Sequence, residues 1–134
     1  MPHSVQITFD AASPRTLGDF WCRVLGYVEK PPPPGFDSWD EALDAMGIDR
    51  SDPDRAYAIV DPDGVGPPVF FLKAPESKTA KNRVHLDVNV GEEVMHDRAA
   101  ELVTLGARIV TEFDEPEGHW ITMLDPEGNE FCIQ

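Results

Sequence analysis

The chain is poor in cysteine, in positive charge and in long apolar runs. Cys22 and Cys132 are its only cysteines in 134 residues. Neither belongs to a CxxC pair, and two are too few for a secreted disulfide framework. Eleven Lys and Arg stand against 25 Asp and Glu, a formal net charge of −14. Nucleic acid needs cations to neutralise its phosphates, so no nucleic-acid partner is expected. An anionic membrane is disfavoured for the same reason. No apolar run approaches the roughly 18 residues that cross a bilayer, and Met1-Pro2-His3-Ser4 does not open a signal peptide. A cytoplasmic location is therefore expected. Phosphate-loop chemistry is also missing, because Gly64-Val65-Gly66-Pro67 has the wrong glycine spacing, and no dinucleotide fingerprint occurs.

What is present is globular: 41% hydrophobic and 27% charged residues, enough to bury a core without staples. The acidic surface would attract a cationic ligand.

A repeat organises the chain. Val5-Gln6-Ile7-Thr8-Phe9-Asp10 alternates apolar and polar residues, and Val84-His85-Leu86-Asp87-Val88-Asn89 does so about 80 residues later. Each run leads into a helix. Ser13-Pro14 is an N-cap with proline at the first helical position, and Leu17, Phe20, Trp21, Val24 and Leu25 share one face. Met95, Ala99, Leu102 and Val103 form the second stripe, with Glu92 and Glu93 expected in its first turn. Gly26 and Gly106 follow the helices as C′ residues. Asp61-Pro62-Asp63-Gly64 and Asp125-Pro126-Glu127-Gly128 make matching strand turns. Module one carries about sixteen extra residues between Pro31 and Arg50, containing a capping-box helix start at Ser38-Trp39-Asp40-Glu41. Trp39, Leu43 and Met46 are its apolar side.

The fold expected is α+β: two βαβββ modules in tandem, forming a mixed, incompletely closed sheet around a cleft with the helices outside. One domain spans 1–134, with module one at about 1–74 and module two at about 82–134. Val5, Ile7, Phe9 and Val84, Leu86, Val88 are the faces for the helices to cover. Gln6, Thr8, Asp10 and His85, Asp87, Asn89 lie on the opposite faces, as do Glu130, Cys132 and Gln134. Phe70 and Leu72 make the last strand of module one apolar on both faces, so something must cover that side.

Phe20-Trp21, Val24-Leu25-Gly26-Tyr27, Arg83-Val84-His85-Leu86-Asp87, Leu105-Gly106-Ala107 and Asp125-Pro126-Glu127-Gly128-Asn129-Glu130-Phe131-Cys132 resemble the glyoxalase/bleomycin-resistance/dioxygenase superfamily, the vicinal oxygen chelate proteins. Among these the chain looks most like the actinobacterial glyoxalase-like branch. The resemblance implies four metal-ligand positions, which fall on Gln6, Leu72, His85 and Cys132. Leucine cannot ligate, and a thiolate suits zinc better than a hard ion. Glu130 shares the Cys132 face and could be a peripheral ligand. No cofactor is therefore expected, with a divalent metal as the alternative. The resemblance also implies a homodimer.

Two functions follow. One is a small-molecule binder whose cleft takes an aromatic or cationic ligand, as bleomycin-resistance-like drug-binding relatives do. Thr8, Trp39, Phe70, Leu72, Asp87, Glu130 and Cys132 would line its site. The other is a glyoxalase-type lyase or isomerase using His85 and Gln6. His85 with Asp87 is either an acid–base pair or a local hydrogen bond. Cys132 is either a nucleophile or a buried small hydrophobe. Trp120 reads as packing. Cys22 has no assigned role.

Overall fold

The computed structural model describes residues 1–134. Module one contributes β1 (Ile7–Ala11), α1 (Pro14–Leu25), β2 (Val28–Glu29), α2 (Trp39–Ala45), β3 (Ala56–Val60) and β4 (Val69–Lys73). Module two contributes β5 (Leu86–Val88), α3 (Met95–Thr104), β6 (Arg108–Glu115), β7 (Gly118–Leu124) and β8 (Glu130–Ile133). They build two four-stranded mixed sheets with equivalent orders, β1-β4-β3-β2 and β5-β8-β7-β6. In each sheet the first strand runs parallel to the last, as Ile7 pairs with Val69 and Leu86 with Phe131. No helix is long and apolar enough to cross a membrane.

The helical stripes bury where their period places them. Leu17, Phe20, Trp21 and Val24 of α1, and Met95, Ala99 and Leu102 of α3, join one core with Phe71, Phe131, Ile121 and Met123. Phe131 packs edge-on to Phe20 and Trp21 at ring distances of 6.1 and 5.0 Å, joining the modules. Val103 lies at the edge of its stripe and stays 43% exposed. Glu92 and Glu93 precede the first turn instead of occupying it, because Val94 is the cap and the helix begins at Met95.

Helix α1 has Ser13 as N-cap, but its side chain makes no capping bond. The Glu127 carboxylate of module two accepts the Ala12 and Ser13 amides at 2.6 and 3.0 Å instead, putting a negative charge at the positive helix end. Helix α2 starts as its sequence implies. Ser38 Oγ accepts the Glu41 amide at 3.1 Å, and the Glu41 carboxylate accepts the Asp37 amide at 3.0 Å. Its buried residue is Ala42, whereas Met46 is 53% exposed.

Val5 and Val84 are 66% and 83% exposed. Both lie ahead of the hydrogen-bonded parts of their strands, beyond the reach of the helices, so each covered face begins at Ile7 or Leu86.

Candidate functional site

Strand pairing fixes what shares a face. Thr8 and Asp10 stand opposite Phe70 and Leu72 on sheet one. On sheet two Asp87 stands opposite Cys132, and Cys132 opposite Thr122. These are the faces turned away from the helices.

The insertion treats them unequally. It lies over the open face of sheet one, where Leu43, Ile48 and Arg50 enclose about 300 Å3 with Phe70 and Leu72. Arg50 is fixed there by Asp44, whose oxygens accept at 2.9 and 3.1 Å. Trp39 lines a different recess with Lys30, Pro31 and Pro32, and its indole N–H donates to the Lys30 carbonyl at 2.7 Å.

The open face of sheet two is left free. A cavity of about 430 Å3 lies between β1 and β5, the facing edge strands; Thr8, Asp10, Lys78, Asn82 and His85 line it. A second, of about 540 Å3, takes in Asp87, Trp120, Thr122 and Cys132. His85 and Glu130 line both, so the two adjoin there. The structure thus brings together Thr8, His85, Asp87, Glu130 and Cys132. It places Phe70, Leu72 and Trp39 elsewhere. Gln6 is exposed ahead of β1 and lines neither cavity.

Each central group has a defined state. His85 Nδ1 lies 3.1 Å from Asp87 Oδ1, which fixes the ring and leaves Nε2 free. The Glu130 carboxylate accepts Lys78 Nζ at 3.0 Å and the Asn82 amide at 2.9 Å. Burial works to raise its pKa, but the Asn82 amide and Lys78 outweigh it and hold it below the usual carboxylate range. Glu130 is therefore an ionised clamp between the linker and β8. Burial pushes the Cys132 thiol up, nearby Asp87 adds to this, and the 3.6 Å contact with Thr122 Oγ1 opposes it. Burial, then Asp19 and Glu29, raise Cys22 to about 11.

A nucleophilic cysteine needs the thiolate, so these raised values argue against that role. At pH 8 the folded protein is expected to react with a disulfide reagent at least about tenfold more slowly than free cysteine. Both thiols should react fast in urea. Fast native labelling that Cys132→Ser removes would return Cys132 to the nucleophile role.

The four ligand positions implied by the resemblance do not form a hard-cation set. Leu72 has no donor atom and sits under the insertion, and Gln6 lies outside the His85 cavities. Ligand atoms of His85, Asp87 and Cys132 do lie within 4.8 Å of one another. An ion there would have to expel the proton that burial and Asp87 hold on sulfur.

Sequence reading missed Lys78 and Asn82, which sit in a polar linker without periodicity, and assigned Trp120 to packing. Trp120 lines the cleft and stacks on Phe113 at 5.2 Å and 26°. Its alternation with buried Ile121 and Met123 was the available signal.

The family model of the glyoxalase-like domain matches residues 6–134. No curated protein sequence matches the chain. Among solved structures, the fosfomycin resistance protein FosX from Mesorhizobium loti is 13% identical with a TM-score of 0.68, covering 100% of this chain and 91% of that one. FosX from Listeria monocytogenes, complexed with Mn(II) and 1S,2S-dihydroxypropylphosphonic acid, is 11% identical with a TM-score of 0.72, over 100% and 92%. A glyoxalase/bleomycin resistance protein/dioxygenase family enzyme from Burkholderia phytofirmans PsJN is 18% identical with a TM-score of 0.63, over 97% and 94%. At these identities the likeness is one of fold.

Proposed function

The chain belongs to the glyoxalase-like domain family, and we propose that it binds a small organic cation, partly aromatic, in the cleft at His85 without using a metal there. The observation that carries this reading is the lining of the adjoining cavities. Asp10, Glu76, Asp87 and Glu117 line the ligand space, beside a Glu130 that is already paired. Of the two lysines there, Lys78 is already paired with Glu130. Trp120 offers a ring for a cation–π contact, worth about 0.5–2 kcal/mol. Cavities of this size and mixed lining suit a drug-sized molecule. A phosphonate, as in the Listeria neighbour, would meet carboxylates and lack the ligand that Leu72 cannot supply.

The test is titration of an aromatic quaternary ammonium panel, followed by tryptophan fluorescence. Saturable binding is expected. Trp120→Ala and Asp87→Asn should each weaken it about tenfold, the equivalent of roughly 1.4 kcal/mol. Neutral isosteres should bind less well, and chelator treatment should change nothing. Equal binding of neutral and charged probes would overturn the reading.

The His85–Asp87 contact favours a second reading, a glyoxalase-type lyase or isomerase in which His85 Nε2 takes a substrate proton. In that case His85→Gln would abolish turnover while leaving ligand affinity nearly unchanged.

The functional unit in this proposal is a homodimer. β6 is the outer strand of sheet two and all eight of its residues are exposed, with Ile109 and Val110 at 52% and 54%. Unpaired apolar edges favour pairing. Light scattering should return twice the 14.9 kDa chain mass. A monomer at micromolar concentration would refute it.

A further inference from the structure

We propose that His96, Glu112 and His119 form a second site, on the helix side of sheet two, for a divalent transition-metal ion, zinc above all. The three residues come from α3, β6 and β7. In the β6–β7 register Glu112 stands opposite Ile121, and Asp114 opposite His119. Glu112 and His119 therefore share the core-side face with Ile121, and the cleft residues Trp120 and Thr122 point the other way. The ligand set faces the core side of the strand, while His119 also borders the cleft beside Gly118 and Trp120.

The geometry is that of a ligand set. The Glu112 carboxylate lies 2.9 Å from His96 Nε2 and 2.5 Å from His119 Nε2. Ligand atoms of all three residues lie within 4.8 Å of one another. Zinc at about 2.0–2.2 Å from N and O needs its ligands roughly 3.4 Å apart, which a small opening of the Glu112 contacts provides. Two imidazoles select a borderline ion over magnesium or calcium. Three protein ligands leave one position for water.

A fourth residue makes this more than a salt-bridged patch. His119 Nδ1 lies 2.9 Å from Glu92 Oε1. A carboxylate on the far nitrogen of a ligating histidine fixes its tautomer and turns the other nitrogen's lone pair towards the metal. Glu92 does this for Nε2, the nitrogen that faces Glu112. His119 is only 17% exposed in its side chain, whereas His96 and Glu112 are at 60% and 41%. An ion thus has an open approach to a partly sheltered, oriented ligand.

The experiment is competition between the full chain and a chromophoric zinc chelator at pH 7.5, with the cobalt(II) visible spectrum as second readout. One equivalent of zinc is expected, with tetrahedral-type cobalt absorption. His96→Ala and His119→Ala should each weaken uptake at least about tenfold, and Glu92→Gln about tenfold through the outer shell. His96 is a surface residue, so its variant should keep the native circular dichroism. Cys132→Ser and His85→Ala serve as controls, and neither should alter uptake. Zinc lost in Cys132→Ser but kept in His119→Ala would place the ion in the cleft and overturn the proposal. So would no saturable uptake up to about 100 μM, a concentration far above the micromolar affinity of a useful site.

Discussion

Asp125→Ala is expected to lower folding stability by about 3–5 kcal/mol, the loss typical of a buried, multiply bonded charge site. Asp125 is 1% exposed. Its carboxylate accepts the Glu127 and Asn129 amides and Asn129 Nδ2, each at 2.9 Å, and the Trp21 indole N–H at 3.0 Å. Alanine leaves four donors without a partner, each costing about 1–3 kcal/mol if it finds no water. Relief from burying a charge offsets part of that sum. The same turn presents Glu127 to the start of α1, so the loss should also loosen that helix end. Burial pushes the Asp125 carboxyl above its ordinary value even though the Asn129 and Trp21 donors resist it. For an acid raised in this way, the favourable contribution is largest below the unfolded value, about 3.9. It declines as pH rises towards the folded value and is constant above that. Urea unfolding at pH 7 measures the change, with Asp125→Asn expected to lose about 2 kcal/mol because one acceptor becomes a donor. A loss under about 1 kcal/mol for the alanine variant would mean that water replaces the carboxylate.

Gly18→Ala should destabilise by about 2 kcal/mol, although alanine is the better helix former by about 1 kcal/mol. Gly18 is buried in α1, where the helix crosses β3 and β4. An added Cβ would stand 2.2 and 2.6 Å from two carbons of the Tyr57 ring and 3.3 Å from Phe71. The ring cannot swing aside. Its hydroxyl donates to Asp19 at 2.9 Å and the Arg15 guanidinium lies 4.5 Å above it. The helix must therefore lift off the sheet. Thermal unfolding should shift down by about 4–8 °C for a chain of this size. The double variant Gly18→Ala, Tyr57→Leu should cost less than the sum of its parts, since the two residues compete for one space. Additive losses would show that the close approach is not the cause.

The elements of this protein are written locally. Alternation at Ile7–Asp10 and Leu86–Asn89, the apolar stripes of α1 and α3, and the glycines at 26 and 106 each act over a few residues. Such signals depend only on the period of the backbone. The repeat of those signals, with the motifs around His85 and Asp125, was enough to indicate paired modules and the family. Part of the cleft was also legible, because His85, Asp87, Glu130 and Cys132 share a face by strand parity.

What parity could not decide is which faces meet. Two equivalent polar faces could have formed one cleft, with Phe70 and Leu72 opposite His85. The insertion instead covers Phe70 and Leu72, so the first face gives the cleft only Thr8 and Asp10 and the second face gives the rest, an outcome set by where Leu43, Ile48 and Arg50 pack. The same holds for Glu127 at the start of α1 and for Trp21 on Asp125, bonds that span 115, 114 and 104 residues. It holds again for His96, Glu112 and His119, which sit on three elements with no common spacing. Long-range contacts of this kind follow from burying the two helices together in one core, and nothing in the local period of the chain specifies them.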